Sequence, residues 1–171
     1  MQKVLVISDT HGNQRLMRSV MQKEKELTHI VHLGDFYEDI EYNNDLTDGK
    51  VIIRVPGVFH PGYYSQQVPF YQTFKVEKIK ISCVHAYMDI KRIPVKGNII
   101  LFGHTHQREL FKKEQNIYIN PGHLKNETDR GYKASYCVIE IKGNTIKIIF
   151  RDYMCNLIEE FPLEIINRIG G

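Results

Sequence analysis

The chain has 171 residues, 42% of them hydrophobic and 25% charged, close to the globular average. These values exclude a disordered chain and, at roughly 150 residues per domain, a repeat array or multidomain assembly. The net charge is only +3, from 23 Lys+Arg against 20 Asp+Glu with the basic residues dispersed, so nucleic acid is not indicated as a partner.

Residues 1–8 are apolar over too short a stretch for a signal sequence, and no later segment approaches the roughly 18 apolar residues that span a bilayer. Residues 3–8 form a β-branched apolar run, the pattern of a strand buried on both faces. Leu16, Met17, Val20, Met21 and then Leu27 recur at helical spacing with charged residues between them, which predicts a helix after that strand. Residues 29–33 and 50–55 are further short strands, and the acidic, Asn-rich stretch 38–49 reads as a loop with a helical turn. Residues 71–76 and 78–84 alternate as a hairpin, and segments 98–102, 109–112, 117–120, 135–141 and 145–150 continue the strand pattern. The tail supports two readings: Met154, Leu157, Ile158 and Phe161 have helical spacing, while 157–163 also fits a returning strand. A βα first half with a β-rich second half implies two sheets with helices outside them. The expected organisation is a single domain over 1–171, with 153–171 a C-terminal extension or hairpin.

Cys83, Cys137 and Cys155 have neither CxxC nor CxxxC spacing, so a disulfide framework and a thiolate zinc site are not expected. The natural compartment is the reducing cytoplasm, and Cys83, inside a strand pattern, is expected to be buried and inert.

The chain carries eight His, and its polar clusters each follow an apolar run. Asp9 and His11 follow the first strand, Gly34-Asp35 the next, His85 a third, and Gly103-His104-Thr105-His106 a fourth. Parallel strands would align their carboxyl ends along one edge, where α/β sheets hold ligands. Taken singly, Asp9 reads as a helix cap, Asp35 as turn chemistry and His85 as a core-edge histidine bonded to backbone. His104 and His106, two apart on an extended segment, are expected to face one side. Taken together, two carboxylates and four imidazoles suit manganese, iron or zinc, and a shared carboxylate lets two cations sit about 4 Å apart. Magnesium alone would prefer oxygen ligands.

Asp9-x-His11, Gly34-Asp35, His85 and the GHTH run, followed by Asn120-Pro121-Gly122, together resemble the calcineurin-like metallophosphoesterase superfamily, in particular its small single-domain bacterial and archaeal phosphodiesterase branch. The resemblance implies an α/β fold, a four-layer α/β/β/α sandwich of two mixed β-sheets flanked by helices. It implies two divalent metal ions, manganese first, with iron, zinc or nickel as substitutes. Asp9, His11, Asp35 and His106 would hold one cation; Asp35 as bridge, His85 and His104 would hold the other. The cations would bind phosphoryl oxygens and acidify a bridging water for in-line attack on phosphorus. Asn13 and Asn120 would orient ligands.

The chain departs from the family pattern at Gly57-Val58-Phe59-His60, where the family carries Gly-Asn followed two residues later by an acid. Val58 cannot coordinate, so the second site is expected to be weakened. Phe59 stands where larger members carry a His that protonates the leaving group. His60 is a candidate to give its imidazole to metal or substrate, or else a loop histidine before Pro61-Gly62. Ala86 stands where the family usually has Gly. His123, where Ser or Thr often follows Asn-Pro-Gly, is a second catalytic candidate. The substrate expected is a phosphodiester, by resemblance alone, with a phosphomonoester as the other choice. A different class stays open: a retromer subunit resembles these enzymes and works as an interaction scaffold after losing parts of its site. The small size and exposed strands admit a homodimer.

Overall fold

Hydrophobic alternation decides where each layer lies. The computed structural model describes residues 1–65, 67–94 and 96–164. Strand β1 (Gln2–Ile7) sends Val4 and Val6 into a core between two sheets and Leu5 and Ile7 to the opposite side, against helix α1 (Gln14–Lys23). Asn13, not Asp9, caps α1: its Oδ1 accepts the Leu16 N–H at 3.1 Å. Leu16, Met17, Val20 and Met21 are the buried stripe of α1, and each such side chain contributes about 1.5–3 kcal/mol through burial. Leu27 joins the same cluster from beyond the helix end.

The chain continues through β2 (His29–His32), a 3-10 helix (Tyr37–Asn43), α2 (Asn44–Thr47), β3 (Val51–Arg54) and α3 (Gly62–Ser65). The stretch 38–49 is therefore more helical than its composition suggests. Asp39 supplies the reason: its Oδ2 accepts from Thr10 Oγ1 at 2.6 Å and Gly12 N–H at 2.8 Å, while Ile40 packs in the α1 cluster.

The second half runs β4 (Tyr71–Val76), β5 (Ile79–Val84), a 3-10 helix (Tyr87–Arg92), β6 (Ile99–Leu101), β7 (Arg108–Lys113) and β8 (Asn116–Pro121). It ends with β9 (Thr128–Asp129), β10 (Tyr132–Lys133), β11 (Ser135–Lys142), β12 (Thr145–Asp152) and β13 (Leu157–Glu164). One mixed sheet has the order β13-β12-β11-β1-β2-β3, the other β4-β5-β6-β8-β7, and β9 and β10 form a small hairpin. Val31, Leu33, Ile81, Leu101 and Ile139 help fill the space between the large sheets. The 3-10 helix Tyr87–Arg92 covers the far face of the second sheet through Ile90, against Ile100, Phe102 and Tyr118. The result is the layered α/β sandwich expected from the sequence.

The tail is a strand. β13 pairs antiparallel with β12, and Ile158, Phe161 and Leu163 pack on the central core. It is an edge strand, which is why Pro162 is tolerated within it. Residues 165–171, the end of the expected extension, lie outside the described residues. Among the described residues no helix is long and apolar enough to cross a membrane.

Two sets of parallel strands position the site: β1, β2 and β3 run together in one sheet, and β5, β6 and β8 in the other. Asp9, Asp35, His85, His104 and His123 each follow the carboxyl end of one of them. The loops are cross-linked by main chain, with Asp9 N–H donating to Gly34 O at 3.0 Å and Gly103 N–H to His85 O at 2.8 Å.

Candidate metal centre

Backbone conformation is the first sign that these loops are more than turns. Asp9, His11, Asp35, His104 and His106 have φ of 52°, 47°, 51°, 73° and 64°. Left-handed backbone is disfavoured for residues with a Cβ and persists where surrounding structure over-determines it, commonly at functional sites. It also changes the expectation for the His-Thr-His run. The segment is not extended, and its two imidazoles are delivered to different groups.

Those groups are Asp9, His11 and His106 on one side and Asp35, His85 and His104 on the other, each with ligand atoms within 4.8 Å of one another. His106 Nε2 lies 3.3 Å from Asp9 Oδ1. Asp35 spans the pair: its Oδ2 is 3.5 Å from His11 Nε2 and its Oδ1 is 3.5 Å from His85 Nε2. His85 Nε2 is also 3.2 Å from His104 Nδ1. Asp9 Oδ1, His11 Nε2, Asp35 Oδ1 and His106 Nε2 are all buried without a hydrogen-bond partner. Buried polar atoms are almost always partnered, so four orphans converging from three loops fit a site for divalent cations.

The close approach depends on missing side chains. A Cβ on Gly57 would stand 1.9 Å from Asp35 Oδ1, and one on Gly103 would stand 2.0 Å from Ser8 Oγ and 2.8 Å from Asp9 Oδ2. The same Asp9 Oδ2 accepts from Ser8 Oγ at 2.5 Å and from the His104 N–H at 3.0 Å, leaving Oδ1 free.

Charge states suit ligation. Burial would raise the Asp9 carboxyl, but the adjoining His106 and His85 rings hold it down at about 2. Burial lowers His11 and His104, keeping their imidazoles neutral and able to donate lone pairs at neutral pH. His85 does bond to backbone as its isolated reading suggests, since Nδ1 donates to Leu33 O at 2.7 Å. That bond turns Nε2 and its lone pair toward Asp35.

His106 is oriented by Asp129, whose Oδ2 accepts from Nδ1 at 2.6 Å, and Lys125 Nζ holds the other carboxylate oxygen at 3.0 Å. Burial would raise the Asp129 carboxyl, yet Lys125 and His106 keep it below its ordinary value. No motif marks Asp129 in the sequence; its only local signal is an acid flanked by Lys125 and Arg130 in a polar loop. Asn120 braces the GHTH loop through Gly103 O at 3.2 Å and Thr105 Oγ1 at 2.9 Å. Asn13 instead caps α1 and donates to Lys125 O at 2.7 Å, so it does not orient a ligand directly.

Neither catalytic candidate lies within the two ligand groups. His60 accepts the Gly62 N–H through Nδ1 at 3.0 Å, while Nε2 lies 3.2 Å from Glu38 Oε1. Nδ1 is engaged within its own loop and Nε2 by Glu38 of the 3-10 helix Tyr37–Asn43, so His60 ties those two segments together outside the two ligand groups. His123 is fully buried, stacks on His106 with centroids 5.1 Å apart, and donates from Nε2 to Tyr132 O at 3.1 Å. It backs His106, and its Nδ1 is buried without a hydrogen-bond partner. Val58 lines a cavity of about 190 Å³ with His104, Ala86, Met88, Tyr64 and Arg92.

A sequence model of the calcineurin-like phosphoesterase superfamily domain matches residues 2–144. The chain belongs to this superfamily. Its fold is similar to that of Vacuolar Protein Sorting 29 from Cryptosporidium parvum, with TM-score 0.73 and 19% identity over 95% of this chain and 98% of that one. A conserved uncharacterized protein of Streptococcus pneumoniae, described as a predicted phosphoesterase, matches with TM-score 0.69 and 22% identity over 95% and 98% of the two chains. Vps29 of Entamoeba histolytica, solved in complex with zinc, matches with TM-score 0.68 and 18% identity over 96% and 99%. At these identities the likeness to solved structures establishes the fold, and the superfamily assignment rests on the sequence match.

Proposed function

We propose that this superfamily member is a metal-dependent phosphodiesterase that holds two divalent cations, manganese first among them. The observation that carries the reading is the convergence of four partnerless buried ligand atoms, one of them on Asp35, the carboxylate that faces both groups. Asp9, His11 and His106 would hold one cation and His85 and His104 the other, with Asp35 shared. Bound there, the cations supply Lewis acidity toward a phosphoryl oxygen and a water acidified enough to attack phosphorus near neutral pH.

The protein's own contribution is to fix the ligands before substrate arrives. The Leu33 carbonyl sets the His85 ring and the Asp129 carboxylate sets the His106 ring, so each keeps its Nε2 lone pair directed inward. The His104 N–H and Ser8 hydroxyl hold the Asp9 carboxylate at one oxygen and leave the other inward. Cys83 is not offered as a covalent nucleophile: it is fully buried and burial pushes its thiol up to about 12. Val58 gives the second group one fewer donor than the family pattern, so the second cation is the weaker-held one.

Hydrolysis of a chromogenic phosphodiester, with and without manganese and with Asp35→Asn as the blank, tests the proposal. Manganese-dependent turnover that Asp35→Asn abolishes supports it. Absence of turnover with manganese, nickel and cobalt contradicts it and favours the second reading, an interaction scaffold, which the loss of the Asn at Val58 motivates. The single-domain organisation and a cytoplasmic setting belong to the same reading.

A further inference from the structure

Apolar side chains exposed around a polar site ask what covers them, because contiguous exposed apolar surface commonly marks a binding site. Phe36 and Phe59 are 50% and 67% exposed, and each approaches the His11 ring, with centroids 5.6 and 5.9 Å away. They come from different loops and share that imidazole as their common neighbour. Phe36 moreover sits in left-handed backbone at φ 69°, a conformation unfavourable for a bulky residue unless something fixes it. On the other side of the centre, Tyr64 and Met88 are 78% and 69% exposed and line the cavity that reaches His104. Val58 and Ala86 complete its apolar wall.

Arg92 is the cation in that cavity, and its charge is already balanced. Its Nη1 donates to Asp89 Oδ1 at 2.8 Å, and its guanidinium lies 4.0 Å from the centre of the Phe70 ring. Tyr63 donates its hydroxyl to the other Asp89 oxygen. A second phosphate or carboxylate is therefore not what the cavity selects. Its volume of about 190 Å³ exceeds the roughly 150 Å³ apolar cavity that admits a benzene ring.

We propose that the site is built for a phosphodiester with two apolar, ring-sized ester groups, one against Phe36 and Phe59 and the other in the Val58–Tyr64–Met88 cavity. This rests on the phosphodiesterase reading and assigns its substrate class. The phosphoryl group would sit between His11 and His104, so that each ester oxygen points its group toward one apolar surface. A monoester leaves one surface bare, and a diester of small or sugar-like alcohols gains little from either. The departure at 57–60 acquires a role in this arrangement. Val58 and Phe59, adjacent in sequence, serve opposite arms.

The test uses manganese-loaded protein and two anions with the same PO2 group and unhydrolysable phosphorus–carbon bonds, diphenylphosphinate and dimethylphosphinate, followed by titration calorimetry. Diphenylphosphinate is expected to bind about tenfold or more tighter, the scale set by burial of apolar rings. Phe59→Ala and Met88→Ala are each expected to weaken it about fivefold, leaving metal content and dimethylphosphinate affinity unchanged. Both side chains are exposed, so these truncations do not endanger folding. Equal affinity for the two anions, or the same losses for both in each variant, overturns the two-arm assignment. Hydrolysis of a phosphodiester alongside equal affinities overturns this inference alone. The expected binding difference without hydrolysis of any phosphodiester overturns the phosphodiesterase reading and with it the assignment of a diester.

Discussion

The two halves of the candidate centre use similar residues and are built to different standards. Asp9, His11 and His106 have closed support: Asp129 and Lys125 stand behind His106, and His123 stacks on its ring. Asp35, His85 and His104 have a backbone carbonyl behind His85, but the neighbouring surface is Val58 and a cavity whose apolar wall faces the Arg92–Asp89 pair. A ligand site is defined as much by what stands behind its donors as by the donors themselves. The first half is expected to hold a cation rigidly and the second to share its cation's remaining positions with substrate.

The largest expected effect removes the element common to both halves. Asp35→Asn should reduce turnover on the order of a thousandfold or more and lower bound metal below two per chain, checked by steady-state kinetics with elemental analysis. Next is the support behind the first half. Asp129→Asn should weaken manganese binding at the tighter site about 10–100-fold while leaving the weaker site in place, measured by calorimetric titration of metal. Equal weakening of both sites would erase the distinction drawn between the halves.

Gly57→Ala places a Cβ where Asp35 Oδ1 now lies, so metal affinity should fall in both halves, with electron paramagnetic resonance of bound manganese as the readout. Val58→Asn should strengthen the weaker site about severalfold by adding an oxygen donor, whereas His60→Ala should leave both affinities within about twofold because its nitrogens are engaged by the Gly62 N–H and by Glu38. If His60→Ala instead weakens the second site, His60 reaches the metal in solution.

The smallest effect concerns pH and the loop beneath the first half. His32 is fully buried, accepts the Gly34 N–H through Nδ1 and faces Thr10 Oγ1 through Nε2 at 3.1 Å; burial pushes its pKa down to about 3. The unfolded chain then binds more protons at this ring between its usual 6.5 and about 3, so metal-free protein should lose stability progressively as pH falls through that window. Thermal melts across that range should show a flatter acid limb for His32→Gln.

Local chemistry made the candidate ligands legible from sequence. Asp9, His11, Asp35, His85, His104 and His106 follow strands, and an apolar run ending in polar residues is visible without a partner. The strand order rests on pairing that no window contains: Met154, Leu157, Ile158 and Phe161 fit a helix and 157–163 a strand, and pairing with β12 decides between them. Asp129 and Asp39 carry no local motif because their roles depend on His106 and Thr10, distant along the chain. His60 and His123 are surplus imidazoles near the motifs, and hydrogen bonds with Gly62 and Tyr132 decide where their nitrogens point. The left-handed backbone at His104 and His106 explains the remaining difference, since period-two reasoning holds only for extended chain.

The most direct measurement is a manganese titration of the metal-free protein that counts cations per chain. Two sites of unequal affinity, both impaired in Asp35→Asn and only the tighter one in Asp129→Asn, are the result predicted. Binding of no cation, or of one that Asp35→Asn leaves undisturbed, would contradict the account of a shared-carboxylate centre.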